Sequence, residues 1–167
     1  MKETHPDIRR TLLLLKSGDE VLLALKKRGF GAGKWNGVGG KIEPDESLED
    51  ALVRECVEEI GVTPTKWHAV GELDFVQDAE TDSPWHMFVY AYVADAWEGE
   101  PSESEEMRPK WFHVEDIPYG DMWDDDEFWL PYVLDNKKVV GAFTFNIDDK
   151  LLTHDVEVVE VLPSESA

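Results

Sequence analysis

The stretch GGKIEPDESLEDALVRECVEEIGV, residues 39–62, constrains this chain more than any other. It runs from a glycine-rich loop into a helix whose two ends are both marked. Ser47 is an N-cap residue, Asp50 completes an imperfect capping box, and Gly61 is the expected left-handed stop. At about 100° per residue, Leu52, Val53, Cys56, Val57 and Ile60 share one broad apolar sector, so the helix packs on a core by that side. Glu55, Glu58 and Glu59 share a different sector at spacing i, i+3, i+4. Like charges so placed cost about 0.2–0.5 kcal/mol per pair. Two readings meet that cost: a water-covered acidic surface, or a bound cation. Ligands that are all oxygen suit Mg²⁺ or Mn²⁺ and not zinc. Arg54 can hold one of the carboxylates with a two-pronged pair.

Around that helix the pattern predicts a single domain, residues 1–167, of mixed α/β (α+β) class. RTLLLLKSGDEVLLALKK reads as two strands around a turn at Ser17–Asp19, and the glycine-rich RGFGAGKWNGVGG that follows reads as a loop. Strands are expected over 66–77, 85–95 and 110–114, a second helix over 124–135, and a closing hairpin of 139–146 with 151–161. Strands and helices interleave without a regular βαβ rhythm, which predicts a mixed sheet with helices packed on it.

The charge balance narrows the partners. Asp and Glu number 37 against 16 Lys and Arg, a formal net charge of −21. Such a field repels nucleic acid and anionic membrane, so neither is an expected partner. An anionic small molecule would need a divalent cation or local bases to enter. The excess itself reads as adaptation to high salt, where screening shortens to about 3 Å at molar strength. No apolar run approaches the roughly 20 residues of a membrane span. The opening MKETHPDIRR lacks the apolar core of a signal peptide, so a cytoplasmic protein is expected, with a monomer as the default. The lone Cys56 excludes an internal disulfide and a cysteine metal cluster.

The spacing Gly40, five residues, Glu46, seven residues, Arg54-Glu55, then Glu58-Glu59 and Gly61-Val62 resembles the signature of Nudix hydrolases. Cys56 is the one atypical slot, where a larger aliphatic is usual, and reads as a small buried hydrophobe. The resemblance implies an α/β/α sandwich around a mixed, partly curled sheet. It implies that Gly40, Glu55, Glu58 and Glu59 bind Mg²⁺ (or Mn²⁺), and that water attacks a nucleoside diphosphate linkage. Arg54 would brace a carboxylate, and Glu46 would orient Arg54. Glu58 and Glu59 both remain candidates for the base.

Two further stretches, 26–41 and 103–134, resemble a Nudix subfamily that hydrolyses oxidised purine nucleoside triphosphates to the monophosphate and pyrophosphate. That likeness implies a base pocket of Asn36, Trp123, Asp125 and Asp126, lined by Phe30, Phe75 and Met87. Thr11 matches a further pocket position and Glu106 a carboxylate near the metal. Gly39 with Gly40 admits close backbone approach, and Lys26 could offer charge to phosphates. The residue types fit: Trp123 and Phe30 can stack on a base at about 1–3 kcal/mol each. Asn36 carries a donor and an acceptor. If Asp125 and Asp126 approach one base, repulsion and burial would leave one protonated, so that the pair presents donor and acceptor together. Three positions depart from the subfamily pattern: Val38 and Gln77 where aromatics are usual, and Asp124 in place of a proline, which is expected to loosen its loop. Trp97, Trp111 and Trp129 read as core or surface filler, and His86 has no assigned role. The rival readings are a Nudix hydrolase for another nucleoside diphosphate derivative and a non-catalytic nucleotide-binding module. No catalytic Glu is missing, which argues against the latter.

Overall fold

A computed structural model describes residues 8–165; the polar opening segment Met1–Asp7, on which the reading of the N-terminus partly rests, lies outside them. β1 (Ile8–Ser17) and β2 (Glu20–Lys26) form the expected antiparallel hairpin, with Leu15 opposite Leu22 and Gly18 in the left-handed region at φ 58°. Their pairing stops there. Beyond Leu15 the two strands part, and the glycine-rich segment wedges between them. β3 (Trp35–Asn36) pairs with Leu25 and Ala24 of β2, while Val38 and Lys41 bridge to Leu13 and Arg10 of β1. The wedge has no room for side chains at its tightest point: a Cβ on Gly39 would stand 1.9 Å from the Thr11 carbonyl oxygen.

The chain continues through α1 (Leu48–Ile60), β4 (Thr63–Gln77), β5 (His86–Glu98), β6 (Met107–His113), α2 (Asp126–Leu134), β7 (Lys138–Phe145) and β8 (Leu151–Val159). One eight-stranded sheet results, in the order β3-β2-β1-β5-β4-β7-β8, with β6 on the far edge of β2. β1 lies parallel to β5 and β4 parallel to β7; the other pairs are antiparallel, so the sheet is mixed as expected. β4 and β5 are longer than their sequence pattern suggests. Pro64 has no N–H to give the ladder, yet register shifts around Lys66 and between Ala69 and Gly71 carry the pairing past it.

Strand alternation sends the two helices to opposite faces. Leu12, Leu14, Val21 and Leu23 pack with Trp129, Leu130 and Val133 of α2. Leu13, Leu15, Leu22 and Ala24, one residue out of phase, pack with Leu52, Cys56 and Ile60 of α1. The result is the helix–sheet–helix sandwich expected. Each such Leu contributes on the order of 1.5–3 kcal/mol by leaving water. Among the described residues no helix is long and apolar enough to cross a membrane.

Candidate active site

α1 carries the acids, and its caps set where they point. The Ser47 Oγ accepts the Asp50 N–H at 3.1 Å, and Gly61, at φ 71°, donates its N–H to the Val57 carbonyl. The helix is rolled slightly from its apolar sector: Glu59 is buried with Leu52, Cys56 and Ile60, whereas Val57 is exposed. The roll serves the loop. Glu59 Oε1 accepts the Gly39 N–H at 3.2 Å, a bond that a Val there could not make. Its other oxygen, Oε2, is buried with no hydrogen-bond partner among the described residues. Burial first, and then the neighbouring Glu55, push the Glu59 carboxyl up to about 8. Gly40 lies against Glu55: a Cβ there would stand 2.5 Å from the Glu55 carboxyl carbon. Its carbonyl oxygen accepts the Thr11 N–H at 2.9 Å and keeps a second lone pair.

Arg54 is the brace expected of it. Nε and Nη2 donate to the two Glu46 oxygens at 2.7 and 2.8 Å, and Nη2 also reaches the Lys41 carbonyl at 3.1 Å. Nη1 donates to Glu55 at 2.9 Å and, more loosely, to Glu58 at 3.4 Å. The Arg54 hydrogen bonds are the main reason that the Glu46 carboxyl falls to about 2. Glu55 and Glu59 therefore converge on the Gly39–Gly40 backbone. Glu58 and Glu106 do not join them: Glu58 leans toward Arg54 with its side chain 58% exposed, and Glu106 faces Arg28 at 3.7 Å. Among the described residues no three His, Cys, Asp or Glu side chains close around one point. The donor set still fits a hard cation. It is all oxygen, Glu55 and Glu59 are neighbours at the Gly39–Gly40 backbone, and one buried oxygen lacks a donor.

Beside this pair, a cavity of about 130 Å³ opens between the glycine wedge, the α2 face of the sheet and the start of α2. Thr11, Lys26, Phe30, Asn36, Gly39, Phe75, Met87, Trp123, Asp125 and Asp126 all line it, although they come from segments scattered along the chain. Gly40 adjoins the cavity without lining it. The Phe30 and Trp123 rings lie 5.0 Å apart at 36°, and Phe30 stands at the mouth, 47% exposed. Trp123 meets Phe145 edge-on at 6.0 Å. Phe75 stacks on Phe143 at 5.1 Å and forms part of the floor. The Asn36 Oδ1 accepts the Gly37 N–H at 2.9 Å, which fixes the amide and leaves its NH₂ for a ligand. Thr11 is buried, and its hydroxyl is unpaired among the described residues.

The acid pair lies deepest. Asp125 and Asp126 are each 3% exposed. The Trp129 indole N–H donates to Asp125 Oδ2 at 2.8 Å, whereas Asp126 Oδ2 has no partner among the described residues. Burial raises both carboxyls, and Asp125 beside it raises Asp126 further. Burial and the neighbouring carboxyl hold Asp126 the higher of the two, while the indole hydrogen bond holds Asp125 down.

Several residues here escaped the sequence reading. Trp129 is core, as expected, but it is also the donor to Asp125. The i, i+4 spacing on one helix face was the available signal. Asp124 corrects an expectation. It does not loosen its loop: Oδ2 accepts the Leu151 N–H at 3.2 Å and ties the start of α2 to β8. Gln77 Oε1 accepts the Trp85 N–H at 3.4 Å, and Trp85 lines the cavity near the missing aromatic. Val38 is simply buried in the α1 core. His86 pairs with Asp74 at 2.6 Å. Trp97 and Trp111 pack together on the α1 side, as filler should. Arg10 and Lys34 also line the cavity.

An aromatic-walled cavity ending on two buried carboxyls, beside a helix that carries a carboxylate cluster, is the arrangement to set against known proteins. The family described as NUDIX domain matches residues 5–133, and the chain belongs to that family. A zebrafish (Danio rerio) protein named oxidized purine nucleoside triphosphate hydrolase is 45% identical over 152 residues, covering 91% of this chain and 96% of its own. The mouse (Mus musculus) protein of the same name is 44% identical, covering 90% and 94%. Among solved structures, a MutT protein from Bacillus halodurans superposes with a TM-score of 0.80 at 27% identity, covering 90% of this chain and 97% of that one.

Proposed function

We propose that this chain hydrolyses oxidised purine nucleoside triphosphates, of the 8-oxo-dGTP or 2-hydroxy-dATP kind, to the monophosphate and pyrophosphate. The zebrafish and mouse relatives are both named oxidized purine nucleoside triphosphate hydrolase, which supports the substrate class. The observation that carries it for this chain is the buried Asp125–Asp126 pair at the floor of a cavity walled by Trp123 and Asn36. One protonated and one ionised carboxyl offer a donor and an acceptor to a base edge. Moving the proton between them reverses the order, so one pocket accepts both an oxidised guanine and an oxidised adenine. Trp123 supplies the stacking face, Phe30 closes the mouth, and the Asn36 NH₂ donates to the base.

The triphosphate then extends from the cavity toward Gly39, Gly40 and the α1 carboxylates. Glu55 and Glu59, with the Gly40 carbonyl, are the residues to hold Mg²⁺ (or Mn²⁺), and Glu58, on the same helix, is the further carboxylate available to them. When bound, that ion would neutralise charge on the phosphates and lower the pKa of water. Glu59 is locked to the Gly39 N–H and suited to holding position. Glu58, 58% exposed and without a backbone lock, is the better supported of the two candidates for taking a proton from the attacking water. Water oxygen adds to phosphorus, the bridge between the α- and β-phosphates breaks, and pyrophosphate leaves. Arg54 keeps Glu55 in one rotamer throughout. The same reading has the protein acting as a cytoplasmic monomer on free nucleotides, with its surface acids suited to high salt.

Two variants test it. Glu59→Gln abolishes turnover of 8-oxo-dGTP with the fold intact by circular dichroism. Asp125→Asn raises KM or changes the base preferred. Wild-type kinetics in both would remove the assignment.

A further inference from the structure

In a chain of net charge −21, the few cations placed inside a cavity are informative. A nucleoside triphosphate of roughly −4 charge approaches this surface against repulsion, and three cationic side chains line the cavity that must receive it: Arg10, Lys26 and Lys34. The Lys34 ammonium lies over the Trp123 ring at 5.4 Å, at the end that stacks on the base. Arg10 sits elsewhere. On β1 it stands opposite Val89 of β5 and is bridged to Lys41, directly after the Gly39–Gly40 wedge. It shares the cavity-facing side of the strand with Leu12. Arg10 lines the cavity together with Gly39, whose N–H holds Glu59, and its backbone bridges to Lys41, so it stands on the side of the cavity next to the carboxylate helix, where the charges of Glu55 and Glu59 act on it.

It also lacks an occupant. Among the described residues the Arg10 side chain has no ion-pair or hydrogen-bond partner, although it is partly buried. Arg54 takes the Lys41 carbonyl and Glu55, and the Gly39 N–H takes Glu59 Oε1; among the described residues Glu59 Oε2 keeps no partner, yet no hydrogen bond or ion pair joins it to Arg10. Five N–H donors in a rigid fork, held partly out of water, want an acceptor of matching geometry. A phosphate group is such an acceptor.

We propose that Arg10 is a phosphate-binding residue of this site, its guanidinium forking onto the substrate phosphate nearest the sugar, where the base cavity passes into the Glu55–Glu59 pair. The assignment rests on the substrate reading above. A different role, in which Arg10 only offsets the charge of Glu55 and Glu59, would not distinguish a ligand with a phosphate from one without.

The test therefore compares two ligands that differ by that group. Calorimetric titrations of wild type, Arg10→Lys and Arg10→Gln, with metal chelated, measure 8-oxo-deoxyguanosine and its 5′-monophosphate. Thermal melts confirm that the variants fold. The nucleoside should bind all three proteins alike. The monophosphate should lose about tenfold or more in affinity in Arg10→Gln, and less in Arg10→Lys, which keeps the charge but not the fork. Unchanged monophosphate affinity in both variants, or equal losses for both ligands, would overturn the assignment while leaving the substrate reading in place. A wild-type protein that binds neither compound would overturn both.

Discussion

Replacing Asp126 with asparagine isolates the proton on which base recognition is argued to depend. Asp126 is 3% exposed, one of its oxygens has no partner among the described residues, and Asp125 lies beside it. Its pKa is raised well above 3.8, chiefly by burial and then by Asp125. A carboxyl raised in the folded state contributes stability that is fully present below its unfolded pKa. That contribution is lost as pH rises toward the folded value, because over this window the unfolded chain has released a proton that the folded chain still holds. The loss is about 1.4 kcal/mol per pH unit for one such proton. Asparagine is nearly the same shape, can donate to Asp125 as the protonated acid does, and has no proton to retain. Urea unfolding of both proteins at pH 5, 6, 7 and 8 should show the variant gaining on wild type at about 1–1.4 kcal/mol per pH unit, until Asp126 itself ionises. The remaining surface charge is common to both proteins and cancels in the difference. A stability difference that is flat across this range would mean that Asp126 titrates as an ordinary exposed carboxyl, and the donor–acceptor account of the pocket would fall with it.

Gly39→Ala places a methyl 1.9 Å from the Thr11 carbonyl oxygen and must push the wedge out of the sheet. Loss of the Gly39 bond to Glu59 and the Gly40 bond to Thr11 should cost about 2–5 kcal/mol in urea unfolding, with turnover falling more than tenfold. Arg54→Lys keeps the charge but cannot span Glu46 and Glu55 together; kcat should drop about 10–100-fold with KM little changed in steady-state kinetics. Asp124→Ala strands the Leu151 N–H and should cost about 1 kcal/mol in the same unfolding assay.

The α1 carboxylates were legible because one local segment holds the cap, the apolar sector, the acids and the stop. Their number and spacing do not say which way each points. Glu58 and Glu106 lean toward Arg54 and Arg28, a matter of rotamers and nearby cations that no pattern records. The pocket residues were legible only through likeness to a family, since Phe30, Phe75 and Met87 by themselves look like core. The split between β1 and β2 was hidden because register depends on which strand the glycine segment chooses. A run of glycines reads as loop whether or not it slips between two strands. Asp124 was misjudged for a related reason: its partner, Leu151, lies on a strand 27 residues away. Arg10 was overlooked because an arginine beside Arg9 at the start of a strand reads as solvated, and its place at the cavity depends on the pairing of β1 with β5 and with Lys41.

The most direct test of the central claim compares kcat/KM for 8-oxo-dGTP and dGTP in Mg²⁺, with products identified by chromatography. The account predicts monophosphate and pyrophosphate from both, and a preference for the oxidised base that shrinks toward unity in Asp126→Asn. Equal kcat/KM for the two nucleotides in the wild-type protein, or release of diphosphate and inorganic phosphate, would contradict it.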